Sequence, residues 1–582
     1  ADVTQEACIM PAGYVVNHTD CDDTNNSVNP GATEVCNTLD DDCDGLINDG
    51  FSNLVDYHID ADNDGFGSDI AIPLCQPTSG YVQNSADCDD NNANINPSAL
   101  EICGNSVDED CTAGDLAPAY YTSRQSGSWT SASTWNKSCD NSSYSAASYA
   151  PQADYAGIVT IASTHAVTVG ATDAYVASAG NLNINATGSL TVNGKMSVSQ
   201  SFVNNGTLTV NHGASFLQSS PTAVNTGSGS YVVNMNLTGT NNGTAPTGRY
   251  WYIGSPMNNT NIYNTFYNSN TMTRIWEYLP TTNSWNAIIN SSTGVGVNSA
   301  TNMAVGIGYL YRAGSAQSVT FNGTSSTFNN NITTPLAFSG IGYKYVSNPY
   351  TSYVDWKQVT RTGLNVSYWI RNAANTAYES YNATSGVSNS PSGQTTQFIP
   401  PMQGFWIYAF TTPCSLRMDN GDRTHSNNLL HAPEHNQIVR LNLNDGKTDD
   451  QAVVYENENA SNGIEEYDTD KFMDENHHQV YFLEGTKEVS LDGLKDATAK
   501  QKVDMGIQIT GAGTYTINAT ELGVEEDVVL EDKFTHTFQD MKRNNTYSFT
   551  SNAGTYNNRF VLHFTLNPQT ETATESVAVT EE

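Results

Sequence analysis

From about Asp154 the hydrophobic positions come in groups of three to five residues: IVTI, AVTV, NLNI, SLTV, MSVSQSFV, TLTV and SFLQ. Gly180, Gly188, Gly194, Gly206 and Gly213 stand in the polar turns between many of them. Alternation over so few positions predicts short β-strands. Their near-regular spacing predicts the rungs of a β-helix, with Asn and Thr stacked at the corners. Leu190 and Leu208, 18 residues apart, fit one rung. A plain β-sandwich is the alternative for residues 116–220. From 221 to 425 the runs are longer and aromatic: YVVNMNL, GRYWYIGSPM, TRIWEYL, MAVGIGYLYR, GIGYKYVSNPY, FWIYAF. They predict half-buried antiparallel strands of a jelly-roll sandwich, with Pro246, Pro256, Pro349 and Pro400–Pro401 at or near strand ends. From Gln437 the alternation resumes in eight strands, IVRLNLN to NRFVLHFTL, and predicts an Ig-like or jelly-roll sandwich over 426–566. The fold class expected is all-β and multidomain. A polar stretch, 567–582, forms an acidic tail.

Residues 1–115 lack this pattern and are organised by cysteines. Cys8, Cys21, Cys36 and Cys43 are spaced 13, 15 and 7; Cys75, Cys88, Cys103 and Cys111 are spaced 13, 15 and 8. The intervening text matches too, DCDDTNNSVNPGATEVC against DCDDNNANINPSALEIC. The head is therefore a tandem repeat with few large apolar residues. A unit that buries so little core needs staples, here disulfides and metal ions. Four cysteines allow three pairings per repeat. The near-neighbour scheme is preferred: Cys8–Cys21 with Cys36–Cys43, and Cys75–Cys88 with Cys103–Cys111. Cys139 and Cys414 are left over and could join each other.

The metal argument rests on spacing. Asp40, Asp42 and Asp44 alternate and are followed by Gly45; Asp60, Asp62 and Asp64 alternate and are followed by Gly65. Alternate carboxylates with Gly at the sixth place form the first half of an EF-hand-type calcium loop, whose coil aims positions 1, 3 and 5 inward. Position 7 offers a carbonyl, from Leu46 or Phe66. Position 9 is Asn48 or Ser68. Phe51 and Ala71 occupy position 12, where a bidentate Glu belongs, so the remaining ligands must come from elsewhere. The DCDD clusters are the natural donors: Asp20, Asp22 and Asp23, and Asp87, Asp89 and Asp90. A degenerate third copy stands at Asp108–Asp110.

Charge sharpens this picture. Lys and Arg total 23 against 60 Asp and Glu, a net charge of −37. Residues 1–123 hold no Lys or Arg, yet carry 24 acids by residue 115. Divalent cations are the obvious counter-charge. The same field repels phosphate backbones and argues against nucleic-acid binding. Residues 127–425 are nearly neutral, with 8 acids and 11 bases; residues 426–582 have 28 acids and 11 bases. No run of about eighteen apolar residues exists to span a membrane. Cysteine density in the head points to an oxidising compartment.

CIMPAGYV, DCDD, NPGATEVC and DDDCDG together resemble the metal-binding repeat named after MopE, found in secreted bacterial proteins and similar to the thrombospondin type 3 repeat. The resemblance covers residues 1–115 and implies calcium as a structural ion. The first copy lacks the DxDxDG stretch that precedes Cys75 in the second, which implies a chain extending upstream of Ala1. GYKYVSNPYTSYVDW and PPMQGFWIYAF resemble segments of large exported proteins of Bacteroidota. Arg440–Asn444, Asp468–Lys471, Gly513–Leu522, Val529–Lys533 and Asn558–Phe564 resemble the domain ahead of the sorting signal in type IX secretion substrates. That resemblance makes the tail a linker left after cleavage.

Catalytic signatures are lacking. Neither GxSxG nor HExxH occurs, Asp355 and Glu379 have no motif around them, and the one HxxEH (His431, Glu434, His435) contains Pro433 and reads as a linker. The expectation is a secreted cell-surface structural or adhesive protein, not an enzyme, with a calcium-rigidified arm. Copies of itself, glycans or other surface proteins are the partners expected. The alternative is a glycan-binding module array; an enzyme acting on polysaccharide comes third.

Overall fold

A computed structural model of the chain describes residues 9, 12, 15–76, 78–99, 101, 107–112, 114, 119–138, 141–142, 144–147, 149–151, 156–173, 176–222, 225–237, 250–267, 273–290, 295–296, 301–312, 316–372, 376–390, 395–425 and 437–565. Cys8, Cys103, Cys139, the HxxEH stretch and the tail 567–582 lie outside the described residues. The fold is all-β and multidomain. Two compact units form: Ala1–Tyr121 with Lys137–Ser145 and Asp154–Ile158, and Thr122–Asn136 with Ala146–Ala153 and Val159–Glu582.

Within Ala1–Tyr121 the described residues include one small three-stranded sheet. Val55–Ile59 pairs antiparallel with Ala71–Leu74 (Tyr57 opposite Ile72) and with Tyr81–Val82. Around it the chain runs in turns closed by its own polar side chains, and the two repeats fold alike. The Asn29 amide donates to the Asp41 carbonyl, and the Asn96 amide to the Glu109 carbonyl, both at 2.8 Å.

The disulfides join Cys21 to Cys43, Cys36 to Cys75 and Cys88 to Cys111. This overturns the near-neighbour scheme. Cys43 and Cys111 hold left-handed backbone, φ 59° and 55°, within the coil of an acidic loop. That coil turns each thiol back to the cysteine of a DCDD cluster, and Cys36 then reaches Cys75, just past the strand Ala71–Leu74, instead of its neighbour. Cys414 is buried and free.

The second unit begins as a β-helix of three parallel sheets. One contains Ala166–Val169, Ser189–Val192, Thr207–Val210 and Ser230–Leu237. A second contains Ala177–Ala179, Lys195–Val198 and Ser215–Gln218, and a third Asn181–Ile184, Phe202–Asn204 and Asn225–Thr226. Leu190 lies opposite Leu208, and Val167 and Tyr231 continue the same inward column. All four are buried, which supplies the driving force for stacking rungs. The expected Asn stack is present: Asn211 donates to Asn193 at 2.7 Å and Asn234 to Asn211 at 2.8 Å. YVVNMNL, expected in the following sandwich, forms this fourth rung. Its free edge is capped by the antiparallel strand Gln317–Gly323.

The aromatic segment builds two principal sheets. One runs Tyr250–Ile253, Tyr309–Arg312, Arg274–Leu279, Ser284–Asn290; the other runs Gly342–Ser347, Gly404–Ala409, Leu364–Arg371, Tyr378–Asn382. Tyr252, Tyr278 and Trp285 of the first join Tyr345, Trp369 and Trp406 of the second in one cluster. The C-terminal segment forms a single ladder of eleven strands, from Ile438–Asn444 to Gly554–His563, around one core that includes Leu441, Phe482, Ile507 and Phe560. No helix among the described residues is long and apolar enough to cross a membrane.

Candidate metal centre

Both DxDxDG loops close in the same way. The Asp64 amide donates to Asp60 Oδ1 (3.1 Å) and Asp62 Oδ1 (3.3 Å), and the Gly65 amide to Asp60 Oδ2 (3.2 Å). In the other loop the Asp44 amide donates to Asp40 Oδ1 and Asp42 Oδ1, each at 3.2 Å, and the Gly45 amide to Asp40 Oδ2 at 2.8 Å. Gly45 and Gly65 take φ of 97° and 96°, a turn a Cβ would strain. The degenerate copy keeps this coil: the Thr112 amide donates to Asp108 and Asp110, and the Gly114 amide to Asp108.

These coils gather carboxylates. Asp60, Asp62 and Asp90 bring oxygens within 4.8 Å of one another, and so do Asp62, Asp64 and Asp87. Asp62 belongs to both sets. Asp87 and Asp90, expected from the DCDD cluster, thus lie beside the loop carboxylates. Asp89 does not join; its amide donates to Asp87 Oδ1. Asp90 Oδ1 accepts from the Ala61 amide, and Asn96 donates to Asp64 Oδ2 at 2.7 Å.

At the other loop, Asp40, Asp42 and Asp44 converge, and Asp42 also meets Glu34 and Asp49. Asp20, Asp22 and Asp23 enter no such set among the described residues. In the second repeat Asp87 and Asp90 of the DCDD cluster lie beside the loop ahead of it. Asn48, expected as a ligand, is fully buried and bonded elsewhere: it donates to the Asn37 and Pro73 carbonyls and accepts from the Asn37 amide. Leu46 and Phe66 follow their turns, donating their amides to Asp44 and Asp64.

Sequence reasoning missed Glu34, Asp49 and Glu101. Glu34 accepts from the Asp41, Asp42 and Asn48 amides, and Glu101 from the Glu109 amide. Glu101 also converges with Asp108 and Asp110. The signal was present in the repeat, because both copies carry Glu two places before Cys36 or Cys103.

The electrostatics favour a cation. Burial, then the charge of Asp64 and next of Asp60 and Asp90, pushes the Asp62 carboxyl up. Burial also raises Asp87, with Asp64, Asp62 and Asp90 adding to it. Asp42 is raised by burial and by Asp44, Asp49 and Glu34. Each shift is the cost of burying a carboxylate and then of crowding it with like charges, and a bound cation would offset both. Asp62 Oδ2 and Asp87 Oδ2 are buried with no hydrogen-bond partner. Asp87 is 7% exposed and Asp60 8%. Orphaned carboxylate oxygens aimed at other carboxylates fit a hard metal ion.

Comparison with known proteins agrees with this geometry. Residues 20–49 and 87–114 match the family described as a putative metal-binding motif. The loop Asp60–Gly65 lies between the two matches. No curated protein and no solved structure matches the chain. Residues 120–564, which take in the β-helix, the aromatic sheets and the C-terminal ladder, match as one domain, and through them the chain belongs to the family described as a domain of unknown function (DUF8693).

Proposed function

We propose that the chain is an exported structural or adhesive surface protein whose N-terminal repeats are rigidified by calcium. The observation that carries the metal is the pair of orphaned oxygens, Asp62 Oδ2 and Asp87 Oδ2, inside a set of five carboxylates drawn from a DxDxDG loop and a DCDD cluster. Asp60, Asp62, Asp64, Asp87 and Asp90 would hold it. Sharing of Asp62 supports two adjacent cations at this place, and Asp40, Asp42, Asp44, Glu34 and Asp49 would hold another. The donor set selects the ion. Oxygen ligands suit calcium, whereas copper prefers imidazole or thiolate. The cysteines beside these loops are in disulfides, so they offer no thiolate.

Calcium would supply positive charge that lets the carboxylates pack, and so stiffen a segment with almost no apolar core. Three disulfides accord with export to an oxidising compartment. Release by type IX secretion, attachment to neighbouring copies and the lack of a catalytic role belong to the same reading. The test is calorimetric titration of chelator-stripped protein with calcium, against magnesium and copper. Calcium heat that Asp62→Asn and Asp87→Asn diminish supports the proposal; absence of calcium heat, with an unchanged melting curve, overturns it.

A further inference from the structure

An open cavity of about 580 Å³ lies among the strands Tyr250–Ile253, Leu364–Arg371 and Tyr378–Asn382 and the loop 472–477. None of its residues takes part in the metal reading, so it stands or falls separately. Tyr250, Tyr252, Tyr378 and Phe472 give it aromatic walls. Phe472 anchors the loop, with its ring 4.2 Å from Tyr378 and 4.5 Å from Tyr343. Arg371 lies over the Tyr378 ring at 4.6 Å and bonds the Asp474 carboxylate, to which His477 Nδ1 is also bound at 2.7 Å.

The loop is fixed from below. Gln508 donates to the Asp474 carbonyl (2.8 Å) and the His477 carbonyl (3.2 Å), and the Asp474 amide donates to Gln479 (2.7 Å). Its polar groups are therefore held in place before any ligand arrives, which lowers the ordering cost of binding. Burial pushes the Tyr252 and Tyr378 phenols up, so both remain neutral hydroxyls. Glu475 and Asn476 are exposed at the rim.

The chemistry selects among ligand classes. An anion would meet an arginine already paired with Asp474, on a chain of net charge −37. A cation would find one face of Tyr378 already covered by Arg371 and one of Tyr250 by Arg312. A neutral ring with an apolar face and hydroxyl edges meets no such conflict. Its C–H face can pack on tyrosine rings while its hydroxyls bond Asp474, Asn476 and His477, which between them donate and accept. We propose that this cavity binds a neutral sugar unit of an uncharged polysaccharide.

The full chain is titrated by calorimetry, and observed by saturation-transfer NMR, with soluble neutral hexasaccharides of glucose, mannose, xylose and N-acetylglucosamine. Calcium-loaded and chelated protein are both used, so failure of the metal reading leaves this test intact. At least one series should bind, and Tyr250→Ala and Asn476→Ala should each weaken it by about tenfold or more. Asn476 is exposed, so that variant tests the site even where Tyr250→Ala fails to fold. The proposal is overturned if no series gives heat or saturation transfer at millimolar sugar, or if folded Asn476→Ala protein binds within roughly twofold of the parent.

Discussion

Replacing Arg559 by leucine should strip the C-terminal domain of much of its stability. Asp532 is fully buried and Arg559 is 5% exposed. Arg559 grips the carboxylate with two bonds, Nε to Oδ1 at 3.1 Å and Nη2 to Oδ2 at 2.8 Å. Its guanidinium also lies over the rings of Phe549 (4.6 Å), Phe560 (4.9 Å) and Phe534 (5.2 Å). Leucine keeps apolar bulk but leaves Asp532 with only the Phe534 amide and the Tyr547 hydroxyl as donors. Removing one partner of such a pair costs about 3–5 kcal/mol, because the other charge stays buried. In a domain of this size that is a fall in Tm of about 10–20 °C. Replacing both partners, Asp532→Leu with Arg559→Leu, should cost much less, since no buried charge remains. Scanning calorimetry of the four proteins of this cycle gives the coupling directly. A loss below about 1 kcal/mol for Arg559→Leu would show that water or local relaxation solvates Asp532, and the argument from burial would fail. The pair also has a pH signature. Burial raises the Asp532 carboxyl, but the Arg559 bonds, the Phe534 amide, the arginine charge and Tyr547 outweigh it and hold it below its usual range. A folded value below the unfolded one makes this stability present above about pH 3.9 and lost as pH falls through the folded value.

Calcium at a hundredfold excess over Kd should stabilise the chelated protein by about 2.7 kcal/mol, read as a rise in the melting transition of the N-terminal unit. Peptide mapping under non-reducing conditions should recover Cys21 joined to Cys43 and Cys88 joined to Cys111; a Cys36–Cys43 peptide would refute this structure of the repeats. Gly206→Ala places a Cβ 2.1 Å from the Gly188 carbonyl oxygen and 2.6 Å from that of Asn185, so rungs must separate; a loss of about 1–3 kcal/mol by denaturant titration is expected, and none would mean the rungs are more loosely spaced. Asp492, 1% exposed, has a carboxyl that burial pushes up to about 8, with Lys500 opposing and Glu484 and Asp468 adding. Its folded value lies above the unfolded one, so stability should fall as pH rises from about 4 towards 8. Asp492→Asn should flatten that slope, and an unchanged slope in a pH series of melting curves would assign it to other groups.

Local periodicity was enough to identify the short strands of the β-helix and the acidic coils, but not the small sheet of Val55–Ile59, Ala71–Leu74 and Tyr81–Val82. Leu190 and Leu208 meet in register because a rung repeats along the chain, and inward residues must stack to leave water. Asp40, Asp42 and Asp44 converge because alternate positions of one coiled loop point the same way. Glu34 and Glu101 were equally legible in the duplicated text, but only comparison of the two copies singles them out. Choices of partner were not written locally. Cys43 is seven residues from Cys36 yet joins Cys21, since the coil between them turns the thiol away. Asn48 stands at a ligand position by count, but the fold places it where two backbone carbonyls lack donors, and it is bonded there. The DCDD cluster at Asp87–Asp90 meets the loop before it because Tyr81–Val82 pairs with Val55–Ile59 and so brings the two segments together. The Tyr250, Arg371 and Asp474 side chains are remote in sequence and meet only when three segments pack. Spacing along a chain encodes which residues share a face, whereas which faces meet depends on burying apolar surface throughout the domain, a property no local window contains.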